Sequence, residues 1–216
     1  MNYYLYEELF KLVNDEGIAV AAFDCRGNAP TSSVSDGKFI EMTVSSCKAD
    51  IKTVTDFISA YQMVDSENLF LMGHSLGGLN SALVAAENPD LFKGMIGYDP
   101  AYQMPDESRK LFSEEPETYM FDAVKIGEPF AKELMAIDVV ESIKSYEGNT
   151  IILTGTGDTP GAGQAIYGIA PEIMDAAAEA LPNGELIVVE GADHQFSLHF
   201  ELLIQHIVDF VKENTD

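Results

Sequence analysis

A chain of 216 residues suits one domain, or one domain carrying a modest insertion. With 46% of its residues apolar and neither Gly nor Pro in excess, it can fill a packed core, which excludes a disordered or fibrous class. Asp and Glu number 36 against 12 Lys and Arg, a formal charge of −24 whose field disfavours nucleic acid, anionic membranes and highly anionic substrates as partners. Cys25 and Cys47 sit in no paired or metal-ligating motif and read as small buried hydrophobes. The N-terminus lacks the basic and apolar stretches of a secretory signal, and no run approaches the roughly 18 apolar residues of a membrane helix. A soluble, cytoplasmic protein is expected.

Short apolar runs alternate with longer helical patterns. Leu5, Leu9, Leu12 and Val13 mark a first helix, which Gly17 ends. Ile18 to Phe23 (IAVAAF) is a continuous apolar run of strand length, as expected of a strand buried on both faces. Cys47, Ile51, Val54, Ile58 and Tyr61 recur at helical spacing, with Thr43, Ser45 and Ser46 as caps upstream. Asn68 to Met72 predicts a second strand, followed by a helix that begins Leu76, Leu79, Leu83. Met95 to Tyr98, Thr150 to Leu153 and Glu185 to Val189 are three more strands. A helix is expected over about 166–180 and a last one over about 197–212. This alternation predicts an α/β fold, a mostly parallel sheet with helices on both faces, in a single domain over 1–216. Residues 101–148, rich in charge and aromatics and without a convincing strand, read as a cap-like insertion over the carboxyl edge of the sheet.

Gly73-His74-Ser75-Leu76-Gly77 directly follows one predicted strand and precedes a helix. A serine on such a sharp strand-to-helix turn is held in a strained backbone that lifts its hydroxyl above the sheet. The helix start aims N–H groups, that of Leu76 first, at the place where an oxyanion would form. A serine hydroxyl needs a base, and four histidines are present: His74, His194, His199 and His206. His199 and His206 fall in the final helix, and the tight turn points His74 away from the hydroxyl. His194, in a loop after the last predicted strand, stands where parallel sheets place functional groups. For the acid that orients the imidazole, Asp158 in Gly155-Thr156-Gly157-Asp158 is expected, since Ser75, Asp158, His194 is the chain order this arrangement uses. Asp99 is a rival because it ends a strand on the same edge, and Asp193 would have to fold back sharply onto His194.

These segments, with Gly191-Ala192-Asp193-His194 and Phe23-Asp24-Cys25-Arg26-Gly27-Asn28, resemble the bacterial α/β-hydrolases of the feruloyl/cinnamoyl esterase and serine aminopeptidase-like group, from about residue 3 to 212. The resemblance implies a serine hydrolase that cleaves small-molecule carboxylic esters through an acyl-enzyme, without metal or organic cofactor. It places the insertion where relatives build an acyl pocket, with His74, Tyr102, Met104, Tyr119, Met120, Phe121 and Phe130 as lining candidates. It also implies three opening strands and a His-Gly loop, bearing a second oxyanion donor, that have no counterpart in these residues. From this follow the expectations of a truncated sheet, weak turnover, and a homo-oligomer or a strand-supplying second chain. The alternative is a catalytically impaired relative that binds a ligand or partner. Thioesterase, acyltransferase and peptidase chemistry share the acyl-enzyme route.

Overall fold

In a parallel sheet covered on both faces, a central strand must bury alternate side chains on opposite sides, and the two central strands of this sheet do so. The computed structural model describes residues 3–28, 35–114, 120–121 and 124–215. In chain order the elements begin α1 (Tyr3–Asp15), α2 (Val44–Ser59), β1 (Phe70–His74), α3 (Leu76–Glu87) and β2 (Gly94–Tyr98). There follow α4 (Met104–Glu114), β3 (Met120–Phe121), β4 (Val124–Lys125), α5 (Glu128–Met135) and α6 (Val139–Ile143). The rest is β5 (Asn149–Gly155), β6 (Asp158–Thr159), β7 (Gly163–Gln164), α7 (Ile166–Ile169), α8 (Pro171–Ala180), β8 (Gly184–Val189) and α9 (Phe200–Glu213).

The main sheet has the order β1-β2-β5-β8, every pair parallel. Ile96 and Tyr98 of β2 and Ile151 and Leu153 of β5 point to the face covered by α1 and α9, where they meet Leu9, Val13, Leu203 and Ile207. Met95 and Ile152 point to the other face, toward Cys47 and Ile51 of α2 and Leu79 and Leu83 of α3. Burying each such aliphatic side chain contributes roughly 1.5–3 kcal/mol, so these two layers hold the strand ends in place. The Thr43 hydroxyl accepts from the Ser46 N–H at 2.9 Å while the Ser46 hydroxyl accepts from the Thr43 N–H at 2.9 Å, a reciprocal cap that starts α2 where expected.

Three expectations are corrected. Ile18 to Phe23 forms no strand, and among the described residues β1 is an outer strand of the sheet, paired with β2 alone. Without a neighbouring ladder the segment is held by the Ile18 N–H donating to the Val13 carbonyl at 3.3 Å and by side chains: Ile18 and Val20 pack on the α1/α9 layer while Phe23 is 43% exposed. The single helix expected over 166–180 is two, because Pro171 drives Ala170 out of helical geometry to φ −145°. His199 precedes α9 as its N-cap residue, not lying within the helix. Residues 101–148 add no strand to the main sheet among the described residues. They contribute α4, α5, α6 and the two-residue antiparallel pair β3–β4. No described helix is long and apolar enough to cross a membrane.

The β1–α3 turn is closely packed. A Cβ on Gly73 would lie 2.3 Å from the Gly77 carbonyl oxygen, and one on Gly78 would lie 2.6 Å from Pro100 Cβ. A Cβ on Gly77 would meet nothing within 4 Å. Gly73→Ala is therefore expected to lower stability by about 1–3 kcal/mol, because rigid backbone must move. Gly77→Ala should be neutral or raise stability by up to about 1 kcal/mol through helix propensity. Urea-unfolding midpoints of the two variants check the contrast.

Candidate active site

Ser75 joins β1 to α3 with φ 55° and ψ −124°, a conformation a β-carbon residue rarely adopts. Neighbours over-determine it. The Ser75 N–H donates to the Tyr98 carbonyl at 3.1 Å, and the Ser75 carbonyl accepts from Gly78 (2.9 Å), Leu79 (3.2 Å) and Ala101 (2.9 Å). Strain persists only where the surroundings fix it this firmly, and such sites are commonly functional. Leu76 opens α3, so its N–H has no intrahelical acceptor and points out of the helix start beside Ser75.

His194 follows β8, and its position is set by the loop around it. The buried Asp193 carboxylate accepts from the N–H groups of Gln195 (2.9 Å) and Ser197 (3.0 Å), and Phe196 is wholly buried with φ 52°. Burial pushes the Asp193 carboxyl up, but the hydrogen bonds to the Ser197 and Gln195 amides and the Thr159 and Ser197 hydroxyls outweigh it and hold the group below its ordinary value. Asp193 thus shapes the loop and does not fold back on the imidazole.

The imidazole's partner is Asp99. Its carboxylate, 0% exposed at the end of β2, bonds His194 Nδ1 directly. The same carboxylate accepts from the Thr154 hydroxyl of β5 and from the Ile166 N–H at 3.1 and 3.2 Å. Burial pushes the Asp99 carboxyl up, while the bonds from His194, Thr154 and Ile166 pull it back toward the charged form. Nδ1 being taken, Nε2 is the His194 atom left for a serine hydroxyl. Among the described residues Ser75 Oγ carries no hydrogen bond, a looseness common in sites without substrate.

Asp158, expected as the acid, is exposed and pairs in register with Gln164 in the β6–β7 hairpin. The glycines of its loop serve another purpose. A Cβ on Gly155 would lie 2.0 Å from the Ala192 carbonyl oxygen, and one on Gly157 would lie 2.2 Å from that of Gly191. The Gly157 N–H donates to Ala192 at 2.8 Å and the His194 N–H to Gly163 at 3.2 Å. The loop after β5 therefore props the loop after β8 by backbone contact.

Of the pocket candidates, Tyr102 (0% exposed), Met104 (2%) and Phe130 (1%) belong to the main apolar core. Tyr119 lies outside the described residues, and Met120 and Phe121 are described only as backbone of β3. His74 Nδ1 meets the Tyr6 hydroxyl at 2.6 Å and its Nε2 the His194 carbonyl at 2.8 Å. Sequence reasoning missed Tyr6 and Tyr98, whose hydroxyl donates to the Gln195 carbonyl at 2.6 Å. In sequence the first is one more residue of an amphipathic helix and the second ends an apolar run, so neither announces itself.

A parallel sheet with helices on both faces, a strained serine after β1, an acid after β2 and a histidine after β8 defines an α/β-hydrolase. The family model described as "Serine aminopeptidase, S33" matches residues 2–134, and the chain belongs to that family. Mouse monoglyceride lipase is 33% identical over 104 residues, which is 48% of this chain and 32% of that protein. Human monoglyceride lipase is 33% identical over 109 residues, 50% of this chain and 34% of that protein. The chain thus matches about a third of the length of these curated relatives. Among solved structures, Est1E from Butyrivibrio proteoclasticus with ferulic acid bound superposes with a TM-score of 0.81 at 24% identity, covering 97% of this chain and 82% of that one. The monoacylglycerol lipase of Paleococcus ferrophilus superposes with a TM-score of 0.71 at 21% identity, covering 97% and 89%.

The His74 ring is enclosed by Tyr6, Tyr98 and His194, at centroid distances of 6.0, 4.2 and 4.6 Å. Burial first, and the neighbouring His194 second, push its pKa from 6.5 down to about 3. The unfolded chain binds a proton at this position below pH 6.5, whereas the folded chain does so only near pH 3. Stability from this residue is therefore full above pH 6.5 and falls as pH drops through that window, by at most roughly 1.4 kcal/mol per pH unit. His74→Gln cannot titrate, and urea unfolding between about pH 7 and 4.5 should show a flatter pH dependence than the wild type. An unchanged slope would mean that His74 protonates in the folded state.

Proposed function

We propose that this protein is a serine hydrolase of small carboxylic esters, with Ser75 as nucleophile, His194 as general base and Asp99 as the acid that orients it. The observation that carries the reading is the buried Asp99 carboxylate on His194 Nδ1, in a molecule whose strained turn presents Ser75 from the adjacent strand. His194 Nε2 takes the Ser75 hydroxyl proton as Oγ attacks the carbonyl carbon, and the Leu76 N–H stabilises the oxyanion. The imidazolium gives its proton to the departing alkoxide, and water activated by the same histidine then cleaves the acyl-enzyme. Asp99 keeps the proton on Nδ1 and balances the cation that forms. Monoglyceride lipases among the relatives, and a ferulic acid complex among the structural neighbours, support an ester with an apolar acyl group as substrate.

Hydrolysis of p-nitrophenyl butyrate tests the assignment. Ser75→Ala should abolish it, and unaltered rates in that variant would sink the proposal. Asp99→Asn should reduce kcat by about 10³–10⁴, since the amide misorients the imidazole. Asp158→Asn should change kcat less than about threefold, because an exposed carboxylate with no bond to His194 contributes little. The reverse ranking would return the acid's role to Asp158.

A further inference from the structure

The nucleophile and its base stand on different strands, β1 and β8, with β2 and β5 between them. Asp99 fixes one end of the His194 ring, but a ring held at Nδ1 alone can still swing with its backbone. That backbone is bonded through its N–H to Gly163, and its carbonyl is bonded by the residue next to the nucleophile. His74 Nε2 lies 2.8 Å from the His194 carbonyl oxygen, which can only accept, so Nε2 carries the proton. Neutral imidazole then has its lone pair on Nδ1, where the Tyr6 hydroxyl stands at 2.6 Å and donates. The chain of donors runs in one direction, from Tyr6 through His74 to the His194 carbonyl, and it permits a single tautomer. The reversed tautomer would leave the Nε2 lone pair facing the carbonyl oxygen. Tyr98 adds a parallel restraint one residue further on, through the Gln195 carbonyl at 2.6 Å, and its ring lies beside that of His74 with centroids 4.2 Å apart.

We propose that His74 is a positioning residue for His194, holding the base's backbone in register with Ser75 in the neutral Nε2–H tautomer that Tyr6 selects. The inference rests on Ser75 and His194 being nucleophile and base. Because His74 and Ser75 are adjacent, any displacement of the turn carries the base's anchor with it, so the reacting pair moves as a unit. Tyr6 brings α1 into the same arrangement, which gives that helix a part in the site beyond covering the sheet. Sequence adjacency, which argued that His74 turns away from the hydroxyl, is what lets it reach across to the loop after β8.

Two measurements decide it. First, 15N imidazole NMR of the wild type, with His74 assigned from the signal lost in His74→Gln, should show a neutral ring protonated at Nε2 at pH 7.5. Tyr6→Phe should disturb that signal. A ring protonated at Nδ1 overturns the proposal. Second, His74→Leu should lower kcat for p-nitrophenyl butyrate by about 10- to 100-fold with KM changed less than about threefold, the scale of a small misplacement of reacting groups. His74→Gln retains a donor toward the His194 carbonyl and an acceptor for Tyr6, and it should recover most of that loss. Wild-type kcat in a folded His74→Leu, or equal losses in the Leu and Gln variants, overturns the proposal. If His74→Leu does not fold, the ring signals of the wild type and of Tyr6→Phe decide alone. The Ser75→Ala control separates the two readings. Full activity there removes the hydrolase assignment, whereas an inactive Ser75→Ala beside a fully active His74→Leu removes only the role of His74.

Discussion

The pairing of a wholly buried carboxylate with an imidazole organises this molecule's functional edge. Asp99 has no contact with water, and an isolated ionised carboxylate there would be strongly disfavoured. It is tolerated because donors converge on it from three places: His194 after β8, Thr154 on β5 and the backbone at the start of α7. Each donor belongs to a different element, so satisfying one carboxylate ties together the ends of β2, β5 and β8 and the start of α7. The left-handed conformation of Asp99, at φ 40°, is part of the same solution, since it turns the side chain into the sheet's edge.

A second set of contacts makes that pairing reachable. His194 is separated from β2 by the whole of β5, and its loop must lie flat over the end of that strand. Glycines at 155 and 157 allow the backbone of one loop to rest on the backbone of the other at distances no side chain would admit. The histidine is thus supported from below by backbone, from one side by Asp99, and from the other by His74 and Tyr98 through carbonyls of its own loop. These contacts preorganise the imidazole, as the proposed role of a general base requires.

The same physics explains what was misread. The motif Gly155-Thr156-Gly157-Asp158 has glycines for close approach and an acid in the right chain order, and in sequence these two facts look like one. In the fold they separate, for the glycines serve the loop crossing while the acid lies exposed on a hairpin. Likewise Ile18 to Phe23 has a strand's composition, but a strand exists only when a neighbour supplies its ladder. With β1 as an outer strand, the segment keeps its side-chain packing and forms none.

Residue order alone was enough to determine the alternation of strands and helices around the main sheet, the cap at Thr43, the strained turn at Ser75 and the place of His194 in the loop after the last strand. Each of these depends on local periodicity, on a capping side chain or on glycines within a few positions of one another. Tertiary structure decided which aspartate meets the imidazole and that His74 reaches across to the backbone of His194. It also decided that Tyr102, Met104 and Phe130 fill the core. Those outcomes depend on which strand ends become neighbours, a matter of sheet order and loop crossing between residues as far apart as 99 and 194. No local pattern encodes such a distance. The turn that carries Ser75 could be read from five residues, but its partners became visible only when four strands lay side by side.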